Sequence, residues 1–265
     1  MPYLNIKDYN YYYEEHGQGS EILVFSHGLL WSSKMFQKQI AFFSKNFRII
    51  CYDHRGQGQS ESTNTGYDME AQYQDAAEII EQLQLGKVHF LGLSMGGFIG
   101  MRLAARRPDL IKSLILLETS ALPEPFAFKY NLLNFIVKIF GIWAVKKPVM
   151  KIMFGTDFLN DKKRESEKIF WETELMSNKK NIVKAVQGVI DRKGIEQELS
   201  SIECPTLVLV GDQDVATVPA KAEFINAQIQ NSKLVYIKGA GHSSCIEEPD
   251  QVNKAIQIFL NGLIN

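Results

Sequence analysis

The feature that most restricts the fold of this chain is the turn Gly92-Leu93-Ser94-Met95-Gly96-Gly97. The apolar run before it, residues 88–91, is typical of a buried strand, and residues 98–107 have a helical pattern that Pro108 ends. A serine in G-x-S-x-G between a strand and a helix is expected to stand on a sharp turn with strained dihedral angles. Side chains at positions 92 and 96 would collide with neighbouring elements, which accounts for the glycines.

Continuous apolar runs elsewhere predict strands that are covered on both faces, as in a parallel sheet. Residues 3–15 add two short strands that turn near residues 8–10. The apolar runs cover residues 21–25, 47–52, 88–93, 114–117, 206–210 and 234–237, and helical patterns cover residues 34–44, 68–83, 219–229 and 251–263. This alternation predicts an α/β fold with a mostly parallel, doubly wound sheet.

One long interval breaks the alternation, because no strand signal occurs between residues 117 and 206. Residues 126–154 are rich in large apolar side chains, and residues 162–177 and 179–192 have two further helical patterns. Ligands of open α/β sheets bind at the carboxyl edge, and an insertion of this size is expected to cover that edge. We therefore predict a core formed by residues 1–120 and 203–265 and an inserted helical cap, or lid, at residues 121–202.

The apolar residues and the lysines of the cap each have more than one possible role. Its apolar residues, including Trp143, are expected either to line a pocket or to pack the cap on the sheet. Five lysines without an acid follow in residues 126–154: Lys129, Lys138, Lys146, Lys147 and Lys151. They are typical of a solvated face, and attraction of an anionic substrate or contact with a membrane surface are the alternatives.

Ser94 is the candidate nucleophile, and a serine hydroxyl needs a neighbouring base to remove its proton. Of the five histidines, His242 directly follows the last predicted strand, in Gly239-Ala240-Gly241-His242. That position places it on a loop at the same sheet edge as Ser94. His16 and His89 are expected to be structural, His54 has no evident acidic partner, and His27 either braces its loop or contacts a substrate.

The acid that orients the imidazole is expected at the same edge. Asp214 follows the fifth apolar run and precedes His242, which gives the chain order serine, acid, histidine. Asp212 and Glu118 also follow strands and remain alternatives, although Asp212 is suited to closing a turn. Backbone N–H groups for the oxyanion hole are expected at Met95, after the nucleophile, and at Leu29, in the loop after Ser26-His27-Gly28.

Together these segments resemble the α/β-hydrolase superfamily over nearly the whole chain. The matching segments are His27-Gly28, residues 53–60, residues 92–97, Cys204-Pro205-Thr206, residues 211–214 and residues 239–242. The resemblance implies that residues 53–60 form a structural turn. It also implies a serine hydrolase and not a haloalkane dehalogenase or epoxide hydrolase, since those relatives use aspartate where this chain has Ser94.

Within the superfamily the chain is most similar to a capped group whose motifs do not separate its activities. The group contains small carboxylesterases, enol-lactonases, meta-cleavage C–C hydrolases and cofactor-free haloperoxidases. We expect a carboxylesterase-like serine esterase with a Ser94-His242-Asp214 catalytic triad, a nucleophile elbow and an acyl-enzyme intermediate. A C–C bond hydrolase or enol-lactonase with the same triad, or a hydrolase-fold receptor for a small molecule, are the alternatives.

Composition and sequence patterns restrict the kinds of partner and the cellular location expected for the chain. A formal net charge of -1 gives no reason to expect nucleic acid. The first residues lack a secretory pattern, no apolar stretch predicts a transmembrane segment, and three cysteines without C-x-x-C spacing are typical of a reducing compartment. We expect a cytoplasmic protein with a small apolar or acyl substrate and with no metal or organic cofactor, and homo-oligomerisation is left open.

Overall fold

The apolar runs pair side by side in an eight-stranded sheet, which a computed structural model describes within residues 3–264. The strands are β1 (Tyr3–Ile6), β2 (Tyr9–His16), β3 (Glu21–Ser26), β4 (Phe47–Tyr52), β5 (Val88–Leu93), β6 (Ile111–Leu117), β7 (Thr206–Gly211) and β8 (Ser232–Ile237). Strands β1 and β2 pair antiparallel with their neighbours and all other pairs are parallel. The predicted fold class is confirmed. Strand β6 begins at Ile111, earlier than predicted, because exposed Lys112 interrupts the apolar run on which the prediction was based.

Helices cover both faces of the sheet. They are α1 (Gln37–Phe43), α2 (Met69–Gln82), α3 (Met95–Arg106), α4 (Ala127–Phe140), α5 (Lys146–Met153), α6 (Thr156–Asn160), α7 (Glu165–Met176), α8 (Ile182–Ile190), α9 (Pro219–Gln228), α10 (Ser244–Glu247) and α11 (Pro249–Ile264). Short 3-10 helices lie at Ser33–Phe36, Ile142–Val145, Lys162–Arg164 and Glu196–Ser201. Within residues 3–264, none of these helices is both long and apolar enough to cross a membrane.

Successive strand residues point to opposite faces and so supply two separate cores. In β3, for example, Leu23 belongs to a core that includes residues of α1 and α11, whereas Val24 belongs to a core that includes residues of α2, α3 and α9. Both residues are fully buried. Strands that are apolar on both faces therefore need a helical layer on each side, as the sequence pattern indicates.

The strand order places a crevice at the carboxyl ends of β3 and β5. The order across the sheet is β1-β2-β4-β3-β5-β6-β7-β8, so the chain turns one way after β3 and the other way after β4. Ser26 at the end of β3 lies opposite Gly92 of β5. The loops that follow these two strands diverge at this switch point, where open α/β sheets bind ligands.

The segment between β6 and β7 leaves the sheet and returns to nearly the same place. It contains α4 to α8, and its two ends meet where the N–H of Ile195 donates to the carbonyl of Ala121 at 2.8 Å. Nε of Arg192 adds a bond to the carbonyl of Leu122 at 3.2 Å. The division into a core and a cap at residues 121–202 stays a prediction, and residues 1, 2 and 265 of that core lie outside the described residues.

Glycines allow α3 to lie directly against β3 and β5. A Cβ atom at Gly92 would lie 2.2 Å from the carbonyl oxygen of Gly96, and one at Gly96 would lie 2.0 Å from that of Ser26. Atoms that are not bonded never approach so closely in proteins, so the collisions predicted at positions 92 and 96 are confirmed.

A pair of alanine substitutions tests this contact. Gly96→Ala should lower the free energy of unfolding by at least about 3 kcal/mol, because α3 would have to move away from β3. Gly262→Ala in α11 should raise it by about 0.5–1 kcal/mol, because an added Cβ meets nothing within 4 Å and alanine favours a helix. Urea unfolding measures both values, and equal stability of the two variants would contradict the close contact.

Candidate active site

Ser94 stands on the turn between β5 and α3. Its φ of 51° and ψ of −108° lie in a region of backbone conformation that residues other than glycine rarely adopt. The N–H of Ser94 donates to the carbonyl of Leu117 at 2.8 Å, and Thr119 Oγ1 donates to the carbonyl of Ser94 at 2.8 Å. Bonds to the neighbouring strand β6 and to the loop that follows it thus hold the strained conformation in place. The predicted strand, strained turn and helix are confirmed.

His242 and Asp214 meet at the same edge of the sheet. His242 follows β8 and Asp214 follows β7, and the distance from Nδ1 of His242 to Oδ2 of Asp214 is 3.0 Å. His242 and Ser94 both line one cavity and are both buried. The structure therefore brings the three residues that were selected from the sequence together, while their catalytic roles remain predictions.

Thr217 holds Asp214 in position, a contact that the sequence analysis missed. Its hydroxyl donates to Oδ2 of Asp214 at 2.6 Å, and the N–H groups of Ala216 and Thr217 donate to Oδ1 at 2.8 and 3.0 Å. Burial would raise the pKa of Asp214, but the charge of His242 and these hydrogen bonds hold the pKa below its ordinary value. The tendency of aspartate to accept bonds from the residues after it is a signal that would have found Thr217.

The two alternative acids are occupied elsewhere. Glu118 is fully buried at the end of β6, where its Oε1 accepts the N–H of Gly211 at 3.2 Å. Burial, followed by repulsion from Asp214, raises the pKa of Glu118 well above its ordinary value, so its surroundings favour the uncharged form of this carboxyl group. Asp212 accepts the N–H of Gly239 at 2.8 Å and joins the ends of β7 and β8. Asp214 is the acid that contacts His242.

The four other histidines bond to other partners. His16 and His89 bond to acidic residues on strands. The rings of His27 and His54 meet edge to face with centroids 4.3 Å apart, and burial lowers the pKa of both. Nε2 of His27 accepts the N–H of His54 at 2.9 Å, so its Nδ1 donates to the carbonyl of Gly28 at 2.8 Å. His27 therefore braces the loop after β3, which was one of its two predicted roles.

The two backbone groups expected to form an oxyanion hole lie at this crevice. Met95 is the first residue of α3, so its N–H has no carbonyl partner inside the helix. Leu29 lines the cavity, and the loop that carries it is fixed by Gln57, whose Oε1 accepts the N–H of Leu30 at 2.9 Å. Gln57 belongs to the turn at residues 53–60 and was not singled out from the sequence. The oxyanion role of Leu29 and Met95 remains a prediction.

An apolar cavity of about 140 Å³ lies between the sheet edge and the segment inserted after β6. Arg192 and Glu124 add a buried ion pair with a separation of 3.0 Å, and Arg192 also lies over the ring of Phe98. Trp143, which was expected to line a pocket or to pack on the sheet, is 65% exposed and lies outside the cavity. The apolar lining includes Leu29, Leu30, Phe98, Leu133, Val137, Ile142, Val145, Val149, Ile152, Met153, Ile182, Val186, Val189 and Ile190.

Across residues 3–264, no three histidine, cysteine, aspartate or glutamate side chains are arranged to hold a metal ion. The cysteines carry free thiols; Cys51 and Cys245 are buried and Cys204 is half-buried. The titratable groups that line the cavity are Glu124, Tyr130, Arg192 and His242.

Glu247 supports the loop that carries His242 and was also missed. Its Oε1 accepts the N–H groups of Gly241 and Ser243 at 3.0 and 3.1 Å, and its Oε2 accepts that of Gly155 at 2.7 Å. One carboxyl group thus ties both neighbours of His242 to the inserted segment. The partners are backbone N–H groups, which carry no residue signature, so no motif indicates this contact.

Comparisons with known proteins agree with this arrangement over almost the full length. A family model described as the alpha/beta hydrolase fold matches residues 21–249. The 3-oxoadipate enol-lactonase 2 of Acinetobacter baylyi is 28% identical over 259 residues, which cover 97% of this chain and 95% of that protein.

Two solved structures have the same architecture. The enol-lactonase of Burkholderia xenovorans superposes with a TM-score of 0.91 at 27% identity, covering 98% of this chain and 100% of that chain. A thermophilic esterase of Thermogutta terrifontis superposes with a TM-score of 0.89 at 29% identity, covering 97% of this chain and 95% of that chain.

The carboxyl group of Glu247 predicts a pH effect on stability. Burial raises its pKa from 4.5 to about 7, so the folded protein keeps a proton that the unfolded chain releases between these values. The contribution of Glu247 to the free energy of unfolding therefore falls as pH rises through this window. Glu247→Gln should lower stability by about 1–3 kcal/mol at pH 5, since an amide cannot accept all three N–H groups.

The difference in the free energy of unfolding between the wild type and Glu247→Gln should narrow from pH 5 to pH 8, because the variant has no proton to lose at this position. Urea unfolding at the two pH values measures it. A difference that widens with pH would show that the folded protein favours the charged carboxylate.

Proposed function

The chain belongs to the alpha/beta hydrolase fold family, and from that membership we propose that it is a serine hydrolase of carboxylic esters or related acyl compounds. One observation carries the proposal. Asp214 contacts the imidazole of His242 at 3.0 Å, and that imidazole lines the same cavity as Ser94. Nucleophile, base and acid in this relation are what acyl transfer by a serine requires.

The contact with Asp214 determines how His242 acts. The N–H at Nδ1 donates a hydrogen bond to the carboxylate, so in the neutral imidazole Nε2 carries no proton and serves as the base. His242 takes the proton of Ser94 as the hydroxyl oxygen attacks the substrate carbonyl. Asp214 then stabilises the imidazolium that forms, and Thr217 keeps the carboxylate aimed at the ring.

The attack moves the carbonyl electron pair onto oxygen, where the N–H groups of Leu29 and Met95 stabilise the negative charge. Collapse breaks the bond to the leaving alcohol, which receives the proton from His242, and leaves an acyl ester on Ser94. Water that gives its proton to His242 then hydrolyses this ester and restores the serine. The strained Ser94 backbone positions the hydroxyl for both steps.

The cavity lining supports a small substrate with an apolar acyl or alkyl group. Lactone hydrolysis is the second candidate function, because a lactone is a cyclic ester that the same groups would open. The resemblance to two enol-lactonases over nearly the whole chain favours it.

Ser94→Ala tests the mechanism. The variant should lower kcat/KM for a short p-nitrophenyl ester by about 10⁴-fold or more, because no nucleophile remains. Its thermal unfolding midpoint should match the wild type within a few degrees, since alanine keeps the space that Ser94 fills. Ser201→Ala, at an exposed serine, is the matched control and should retain full activity. Undiminished hydrolysis by Ser94→Ala would exclude the proposed nucleophile.

The identity of the acid has its own test. Asp214→Asn should lower kcat by about 10⁴-fold, because an amide favours the wrong imidazole tautomer. Glu118→Gln should retain most activity, because Glu118 bonds to the N–H of Gly211 and an amide oxygen can still accept that bond. Steady-state kinetics on the same ester measure both. An active Asp214→Asn beside an inactive Glu118→Gln would assign the acid to Glu118.

A substrate panel separates the related functions. An open-chain ester, a lactone of the same acyl length and a vinylogous diketone distinguish an esterase, a lactonase and a C–C bond hydrolase. Multiple turnovers on any of the three argue against a receptor that only binds its ligand.

A further inference from the structure

Helix α4 is apolar on two opposite faces. Residues three or four positions apart share one face of a helix, and two such sets here lie about half a turn from each other. The first set lines the cavity: Tyr130, Leu133, Asn134 and Val137. The second set, which we call the apolar stripe, consists of Phe128, Leu132, Phe135 and Ile139.

The apolar stripe is exposed. Its side chains are 86%, 53%, 59% and 52% accessible in chain order. Three further exposed aromatic residues, Phe126, Phe140 and Trp143, lie at the two ends of the helix and just beyond it. A contiguous exposed apolar patch of this kind marks an interaction site.

The charge around the apolar stripe has one sign. Residues 125–156 contain no acid, and four of their five lysines are exposed: Lys129, Lys138, Lys147 and Lys151. Within residues 3–264 these four form no ion pair, whereas Lys146 pairs with Glu172 at 2.7 Å. By helical geometry, Lys129 and Lys138 flank the stripe on opposite sides.

Acids of the inserted segment are largely paired. Glu124, which precedes α4, pairs with Arg192 at 3.0 Å. The four glutamates of α7 each lie within ion-pair distance of a cation: Glu165 with Lys168, Glu167 with Arg164, Glu172 with Lys146 and Glu174 with Lys34. The surface of α4 therefore combines apolar side chains with cations that lack a carboxylate partner, and it complements an apolar surface that carries anions.

We propose that the apolar stripe docks on an anionic lipid bilayer surface. Helix α4 has 14 residues and is therefore about 21 Å long, a length suited to lying in the plane of the interface. Its aromatic and aliphatic side chains enter the acyl boundary, and the long stems of Lys129 and Lys138 place their ammonium groups at the phosphates.

A second copy of the chain fits this surface less well. Pairing two stripes about a twofold axis brings the unpaired lysines of both copies together, and like charges facing each other across an interface oppose association. A lipid surface with anionic head groups satisfies the lysines and the apolar side chains at once.

Vesicle sedimentation tests the proposal with the full-length protein. We expect stronger binding to vesicles of phosphatidylcholine mixed with phosphatidylglycerol than to phosphatidylcholine alone, and weaker binding at high salt. Phe128→Ser combined with Phe135→Ser should lower the partition coefficient by about tenfold or more. Lys129→Gln and Lys138→Gln should each lower it by about fivefold on anionic vesicles at low salt.

Ile258→Ser removes an equally exposed aliphatic side chain from α11 and is the matched control, which should bind as the wild type does. Circular dichroism melting verifies that the variants fold, and none of the substituted residues lines the cavity. Vesicle binding is measured independently of hydrolysis, so the test of membrane docking stays valid whether or not the proposed ester chemistry is correct.

Three results would overturn the proposal. They are equal binding to both kinds of vesicle, binding that the stripe substitutions leave unchanged, and a dimer in sedimentation velocity that Phe135→Ser dissociates while vesicles bind no protein. The last result would assign the apolar stripe to contact between copies of the chain.

Discussion

Parallel hydrogen bonding between β3, β5, β6, β7 and β8 is the constraint on which the candidate site depends. Because these strands run in one direction, the residues that follow them all emerge at one edge of the sheet. Ser94, Asp214 and His242 are far apart in sequence and meet only because their strands are neighbours or near neighbours. A slip in register would move each of them relative to the others, so the two packed cores that fix the register also fix the geometry of the site.

Three buried carboxyl groups behind this edge differ in pKa because their partners differ. Asp214 faces an imidazole and accepts three bonds from its own turn, which outweigh its burial and favour the carboxylate. Glu118 accepts one backbone bond, and burial and repulsion from Asp214 favour its protonated form. Glu247 accepts three N–H groups, but burial still raises its pKa. The balance between burial and local hydrogen bonds therefore differs from one carboxyl group to the next.

Most of the fold could be predicted from the sequence, because strands buried on both faces read as unbroken apolar runs and helices as periodic ones. The contact between Asp214 and His242 could be anticipated from their places after strands. Thr217 could also have been found, because aspartate tends to accept bonds from the residues that follow it. Gln57 and Glu247 could not, since each acts through side-chain bonds to backbone groups that depend on the folded path of distant loops. Trp143 shows the same limit: its apolar neighbours suggested a buried or cavity position, but the burial of a helical side chain depends on which face the tertiary structure covers.

The hydrogen bond between Ile195 and Ala121 closes the inserted segment at its base. The chain therefore leaves the sheet after β6 and returns before β7 at one fixed point, independently of the path of the segment between them. Lengthening or replacing a closed excursion adds little loop entropy, because that cost grows slowly with length. Exchange of this one contiguous stretch of sequence would therefore change most of the cavity lining, while Ser94, Asp214 and His242 stay on an unchanged sheet.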